Sequence, residues 1–200
     1  MKNRKIIITS QNALVNFFKD DSLRIKNNSK LIFFENLKLS SYITFEGNIF
    51  LGKNNIIGPY SSLNNVKIGN NNLIKMSSLI ENSKISDQNI IGPFAYIREN
   101  TKIKNRCIIG AYAEVTRSSI KNRCCASHRV FIGDATINEG TIIGAGTVFC
   151  NYNFNTNSKS KTKIGKNCKI GSNVSIVAPI KIKSNTVIPA STKYKKISFD

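Results

Sequence analysis

His128 is the single histidine of this 200-residue chain and lies in the segment SHRVFIGDATI. An imidazole can take up and return a proton near neutral pH, which makes it a natural general base. A lone histidine is, taken by itself, more often a satisfied structural residue. The cysteines do not point to a metal. Cys107, Cys124, Cys125, Cys150 and Cys168 lack the paired CxxC spacing of a zinc site, and their odd number leaves one unpaired. Free, mainly structural thiols and no catalytic metal are expected. The formal charge of +19 would draw anionic ligands, phosphates among them, toward the surface. The lysines are spread over outward positions with no aromatic-interleaved patch or nucleic-acid motif, which disfavours nucleic acid as a partner.

A repeat must position these residues. A small apolar side chain returns at every sixth position, as in Ile85, Ile91, Ile97, Ile103, Ile109 and Val115, and later in Ile164, Ile170, Ile176, Ile182 and Ile188. The step shortens to five between Leu63 and Ile68, Ile80 and Ile85, Val115 and Ile120, and Ile132 and Ile137. A period of six suits neither an α-helix nor an isolated strand, and marks a parallel β-helix of short strands and tight corners. Three such units make a triangular coil of 17 or 18 residues, stabilised by stacking on its neighbours.

The chain organises around that repeat. Residues 1–21 form an N-terminal segment in which Ser10 caps a short amphipathic helix carrying Leu14, Phe17 and Phe18, and Asp20 and Asp21 mark its end. Residues 22–192 form the β-helix, with an atypical first coil. The repeat is interrupted at 150–163 by a polar loop, CNYNFNTNSKSKTK, and residues 193–200 form a basic tail. No apolar stretch approaches the length of a membrane span. The basic, briefly apolar start lacks a small-residue cleavage site, so a cytoplasmic location is expected.

The segments IGPFAYIREN, IGAYAEVTRSS, SHRVFIGDATI, IGAGTVFCNYN, IGKNCKIGSNVSIVAPI and PAST occur in this order. Together they resemble the acetyltransferase domain of the bacterial bifunctional enzyme that combines glucosamine-1-phosphate N-acetyltransferase with N-acetylglucosamine-1-phosphate uridylyltransferase. The resemblance covers almost the whole chain from about residue 20. It implies an all-β, left-handed parallel β-helix with a short N-terminal helix, assembled as a homotrimer. The implied cosubstrate is acetyl-CoA, lying between neighbouring prisms, and the implied acceptor is a sugar phosphate on the route to UDP-N-acetylglucosamine and cell-wall precursors. The uridylyltransferase half has no counterpart here, which leaves two expectations open: a separate uridylyltransferase as partner, or a chain that is a remnant or fragment.

Carried over residue by residue, the resemblance makes His128 the base and Glu114 its carboxylate partner. Arg98 and Arg117 would hold the sugar phosphate, Lys159 would contact the substrate, and Asn151 and Tyr152 would serve both substrate and coenzyme. Ala145, Ser172 and Ala190 would offer backbone groups and room to the pantetheine arm. Three positions depart from the pattern. Thr116 replaces a phosphate-binding lysine, so that Arg117 must bend around the corner to restore the charge; Phe131 replaces a tyrosine; Ile142 replaces a sugar-contacting asparagine. These departures leave two rivals open, an acyltransferase for another amino sugar and an inactive trimeric scaffold.

Overall fold

The structure, a computed structural model, describes residues 5–34 and 36–195. Short strands wind into a triangular prism with three sheets as its faces. The first face runs from Lys30–Phe34 through Lys84–Ile85 and Lys102–Ile103 to Ile180–Ile182. The second runs from Lys38–Leu39 to Val187–Ile188, and the third from Arg24–Ile25 to Lys193–Tyr194. Neighbouring strands within each wound face are parallel, and the hexad residues lie in register. Ile80, Ile97, Val115 and Ile132 stack on the third face. Ile85, Ile103, Ile120 and Ile137 stack on the first, and Ile91, Ile109, Ala126 and Ile143 on the second. All are buried. At roughly 1.5–3 kcal/mol for each large aliphatic side chain, these three columns form a continuous core along the prism axis.

The corners between the third and first faces explain the shortened steps. In most of them one residue takes the left-handed conformation, as Asn82 (φ 45°), Arg117 (φ 48°) and Asp134 (φ 51°) do. The corner after Arg98 is one residue longer, and both Glu99 (φ 52°) and Asn100 (φ 60°) are left-handed. A second internal column, polar at its start, runs inside the corner between the first and second faces. Asn72 donates through its backbone N–H and Nδ2 to Oδ1 of Asn55 at 2.9 and 3.0 Å. Asn89 does the same to Asn72, and Cys107 N–H donates to Asn89 Oδ1 at 2.8 Å. Each buried amide thereby closes the coil before it. All five cysteines are free; Cys107, Cys124 and Cys168 are buried, as structural thiols should be.

The helix spans Gln11–Phe18, with Ser10 as N-cap accepting from Ala13 N–H and Lys19 as a left-handed C-cap. Its Leu14 is buried, and Phe17 and Phe18 both pack on Phe33 with ring centroids 5.3 Å apart. Ahead of it, Lys5–Ile8 pairs antiparallel with Lys30–Phe34. The N-terminal segment thus contributes a strand to the first sheet, which its brief apolar run did not announce. The interruption after Phe149 is a small antiparallel hairpin, Tyr152–Asn153 against Ser158–Lys159, before the chain re-enters the first face at Thr162–Ile164. The third face also extends beyond 192, because Lys193–Tyr194 pairs with Ser175–Val177. Residues 196–200 of the expected tail lie outside the described residues. No helix among the described residues is long and apolar enough to cross a membrane.

Candidate active site

Four of the residues singled out in the sequence fall on one edge of the prism, where the second face turns into the third. Arg129 N–H donates to Ala111 O at 2.9 Å, Gly146 N–H to His128 O at 2.9 Å, Asn173 N–H to Ala145 O at 2.8 Å and Ser191 N–H to Ser172 O at 2.8 Å. These bonds place Ala111, His128, Ala145, Ser172 and Ala190 in consecutive coils of a single column. Small residues are required beneath it: a Cβ on Gly144 would meet the Ser172 nitrogen at 2.5 Å, and one on Gly171 the Ala190 nitrogen at 2.4 Å.

The chemistry of this edge differs from that of the edge between the first and second faces. There, the N–H groups of Lys53, Asn70, Asp87 and Asn105 are each capped by the side chain one coil on, Asn70, Asp87, Asn105 and Asn122 in turn. Among the described residues of the histidine edge the corresponding cap exists once, where Ala111 N–H donates to His128 Nδ1 at 3.2 Å. Alanine at 145 has no acceptor to offer. Among the described residues, the N–H groups of His128, Ala145 and Ser172 donate to no protein acceptor. The result is a row of unpaired donors about 5 Å apart, the spacing of neighbouring strands.

The charged residues gather at the opposite edge of the third face. Arg98 donates through Nε and Nη2 to Glu114 Oε1 at 3.0 and 2.7 Å. Arg117 donates through Nε and Nη2 to the two oxygens of Asp134 at 2.8 and 3.0 Å, and its Nη1 also reaches Thr116 Oγ1 at 3.0 Å. Glu99 bridges the two arginines, pairing with Nη1 of each. Asn151, at the base of the hairpin, donates to Asp134 at 2.5 Å. Burial pushes the Asp134 carboxyl up, but the bonds from Arg117 and Asn151 and the charges of Arg117 and Lys159 outweigh it and hold the group below its ordinary value. Glu99 is likewise lowered, chiefly by its bond from Arg117. Arg117 is raised, first by its bonds to Asp134 and against the effect of burial.

The structure therefore sorts the expected residues into groups. His128, Ala145, Ser172 and Ala190 share one edge; Arg98, Glu114, Arg117 and Asn151 belong to one network at the other. Along the chain the strand Phe131–Gly133, flanked by the left-handed residues Arg129 and Asp134, separates the two edges. No hydrogen bond joins Glu114 to His128 in the way expected of a partner carboxylate; Glu114 accepts from Arg98, and the bond found for the ring comes from Ala111. Tyr152 stands away from the network, its hydroxyl donating to Asn157 at 3.2 Å and its ring against Phe154. Lys159 is exposed across the hairpin from Tyr152. Glu99 and Asp134 were not singled out from the sequence. Their signal was the coil length, since Glu99, Arg117, Asp134 and Asn151 recur at intervals of 18, 17 and 17 residues. A surface groove of about 680 Å³ lies elsewhere, on the first face beside Lys67, Lys84 and Lys102, and none of the expected site residues lines it.

Sequence comparison agrees with this architecture. The family described as bacterial transferase hexapeptide (six repeats) matches residues 82–117 and 161–193, so the chain contains a hexapeptide-repeat domain. More particularly, it is similar to proteins named bifunctional protein GlmU. That of Nitratiruptor is 45% identical over 106 residues, covering 53% of this chain and 24% of the relative. That of Buchnera aphidicola is 41% identical over 162 residues, covering 81% of this chain and 36% of the relative. The chain thus spans about a quarter to a third of the length of these relatives. In three dimensions it shares the fold of UDP-N-acetylglucosamine acyltransferase from Bacteroides fragilis, with TM-score 0.64 and 20% identity over 88% of this chain and 66% of that one. The corresponding O-acyltransferase from Moraxella catarrhalis gives TM-score 0.62 and 16% identity over 80% and 65%.

Proposed function

We propose that this chain is an acetyl-CoA-dependent N-acetyltransferase that converts glucosamine-1-phosphate to N-acetylglucosamine-1-phosphate. The observation that carries the reading is the uncapped edge. A row of free N–H groups on His128, Ala145 and Ser172, over small side chains that leave space outside the prism, suits the amide carbonyls of a pantetheine arm, and the histidine stands at the head of that row. The similarity to GlmU supports acetyl transfer to an amino-sugar phosphate in particular. Assembly of copies as a homotrimer is supported by an apolar stripe on the second face, where Ile56, Ile90, Ile108 and Ile142 are exposed in register or nearly so. Such a trimer supplies a way for the histidine edge of one copy to approach the arginine network of another.

Acetyl-CoA supplies an activated thioester carbonyl. The sugar amine attacks it, forming the N–C bond as the C–S bond breaks; the amine proton passes to His128 and from there to the departing thiolate. A neutral imidazole that accepts at Nδ1 carries its proton on Nε2. His128 must therefore give up the 3.2 Å bond from Ala111, or turn its ring, before a lone pair faces the amine. The bond is long and the ring exposed, so the exchange costs little. Arg98 and Arg117 bind the phosphate, and Arg117, folded back over buried Thr116, supplies the charge that a lysine at 116 would have given.

The test incubates purified protein with acetyl-CoA and glucosamine-1-phosphate and detects the product by mass spectrometry, beside His128→Ala. Product from the parent alone supports the reading; none from either, with the protein folded, refutes it. A second reading, acetylation of a different amino sugar, is favoured by Phe131, which lies beside Glu114 without a hydroxyl, and by Ile142, which belongs to the apolar stripe. A panel of amino-sugar phosphates separates the two.

A further inference from the structure

The two arginines are held in the same manner. Arg98 commits Nε and Nη2 to Glu114, and Arg117 commits Nε and Nη2 to Asp134. Each is left with Nη1, and both Nη1 groups converge on Glu99, one on each carboxylate oxygen. Guanidiniums clamped by their outer edges, with inner donors meeting at one anion, are arranged as for phosphate recognition. Here the anion at the meeting point belongs to the chain itself. We propose that Glu99 occupies the phosphate position of an Arg98–Arg117 subsite, so that an incoming phosphate binds by displacing it and Glu99 sets the affinity for the acceptor. This deepens the proposed acetyltransferase reading, on which the identity of the phosphate's bearer rests.

Three features single out Glu99 as the carboxylate that leaves. Its side chain is 44% exposed, against 35% for Glu114 and 13% for Asp134, so water meets it at the least cost. It projects from the lengthened corner, where two successive left-handed residues replace the one found in the flanking coils. Charge balance points the same way. Two arginines face three carboxylates, and a phosphate arriving beside all three meets net repulsion; with Glu99 turned out, the remaining pairs are neutral and each Nη1 is free to donate. Glu114 and Asp134 then act as positioning residues, fixing the guanidiniums without touching the ligand.

The experiment titrates inorganic phosphate, then glucosamine-1-phosphate, into the full chain and its Glu99→Gln and Glu99→Ala variants by calorimetry, with folding verified by circular dichroism. Removing one charged competitor is expected to tighten phosphate binding roughly tenfold or more. Adding Arg117→Gln to Glu99→Gln should abolish the gain. Glu139→Gln, which alters only a surface pair with Arg123 at another edge, should leave phosphate affinity at the parental value. Unchanged or weaker binding in folded Glu99 variants overturns the proposal. An independent measurement on the parent protein is a crystal structure with phosphate: an ion between the two Nη1 groups with Glu99 turned away is expected, and an ion elsewhere with Glu99 in place overturns it. Because binding is read without turnover, tighter phosphate binding with no acetylation would sink the acetyltransferase reading alone. Acetylation with no change in binding would sink the role of Glu99 alone.

Discussion

Asp134→Asn keeps the shape of the side chain and removes the charge that holds Arg117. The carboxylate accepts two bonds from Arg117, at 2.8 and 3.0 Å, and one from Asn151 at 2.5 Å. Breaking a fully buried ion pair costs about 3–5 kcal/mol, and losing an exposed one about 0–1 kcal/mol. With side chains 13% and 26% exposed, this pair lies between those limits, at about 2 kcal/mol. For a chain of this size, each kcal/mol moves the melting temperature by about 2–4 °C, so the variant should melt about 4–8 °C below the parent at pH 7. The pH dependence has a definite sign. The folded-state pKa of Asp134 lies below the unfolded one, so its contribution is present above the ordinary carboxylate range near 3.9 and is lost as pH falls through the lower, folded value. Thermal melts followed by circular dichroism at pH 7 and in strong acid should therefore show a gap that closes on acidification. Coincident melts at pH 7, or a gap undiminished in acid, would refute the reasoning.

Three further outcomes are expected. His128→Ala should lower acetyl transfer about 10²- to 10⁴-fold while the melting temperature stays within about 1 °C, because the ring is exposed and forms one long bond; equal losses of activity and stability would count against a base. Ala145→Asn should cap the His128 N–H as asparagines cap the other edge, raising the KM for acetyl-CoA about tenfold with kcat and melting little changed; an unaltered KM removes the uncapped edge from coenzyme binding. Asn72→Leu removes the Oδ1 that accepts from the Asn89 N–H and Nδ2 and leaves both donors unsatisfied inside the prism, and at about 1–3 kcal/mol for each orphaned group urea unfolding should register a loss of about 2–5 kcal/mol.

The repeat made the core legible from the sequence. Side chains such as Ile97, Val115 and Ile132 sit in register because a six-residue period leaves the chain one efficient way to bury them. Caps were legible too: Ser10 was recognisable because a serine before an amphipathic run satisfies an otherwise unpaired N–H. The strand Lys5–Ile8 was not, since a short apolar run carries no sign of its antiparallel partner Lys30–Phe34. The site was half legible. His128 and Arg98 could be picked out by type and segment, but their neighbours depend on side chains meeting across coils. Glu114 bonds to Arg98 rather than to His128 because coil-to-coil register decides which long side chains meet. Asp134 and Glu99 were passed over for the same reason, although the 17- or 18-residue spacing that joins them to Arg117 was present throughout.

The antiparallel strand Lys5–Ile8 has a consequence for solubility. A stack of near-identical coils presents, at an open end, a parallel edge onto which another molecule's coil can add, and repeated addition would build a filament. In this chain the first sheet is finished by a strand running the wrong way for such growth, and Leu14, Phe17 and Phe18 cover the neighbouring apolar surface around Phe33. The reversal of one short strand thus denies the first sheet a parallel template at that end. A version of the protein beginning at Lys30 would keep every coil that carries the candidate site and expose a growing edge.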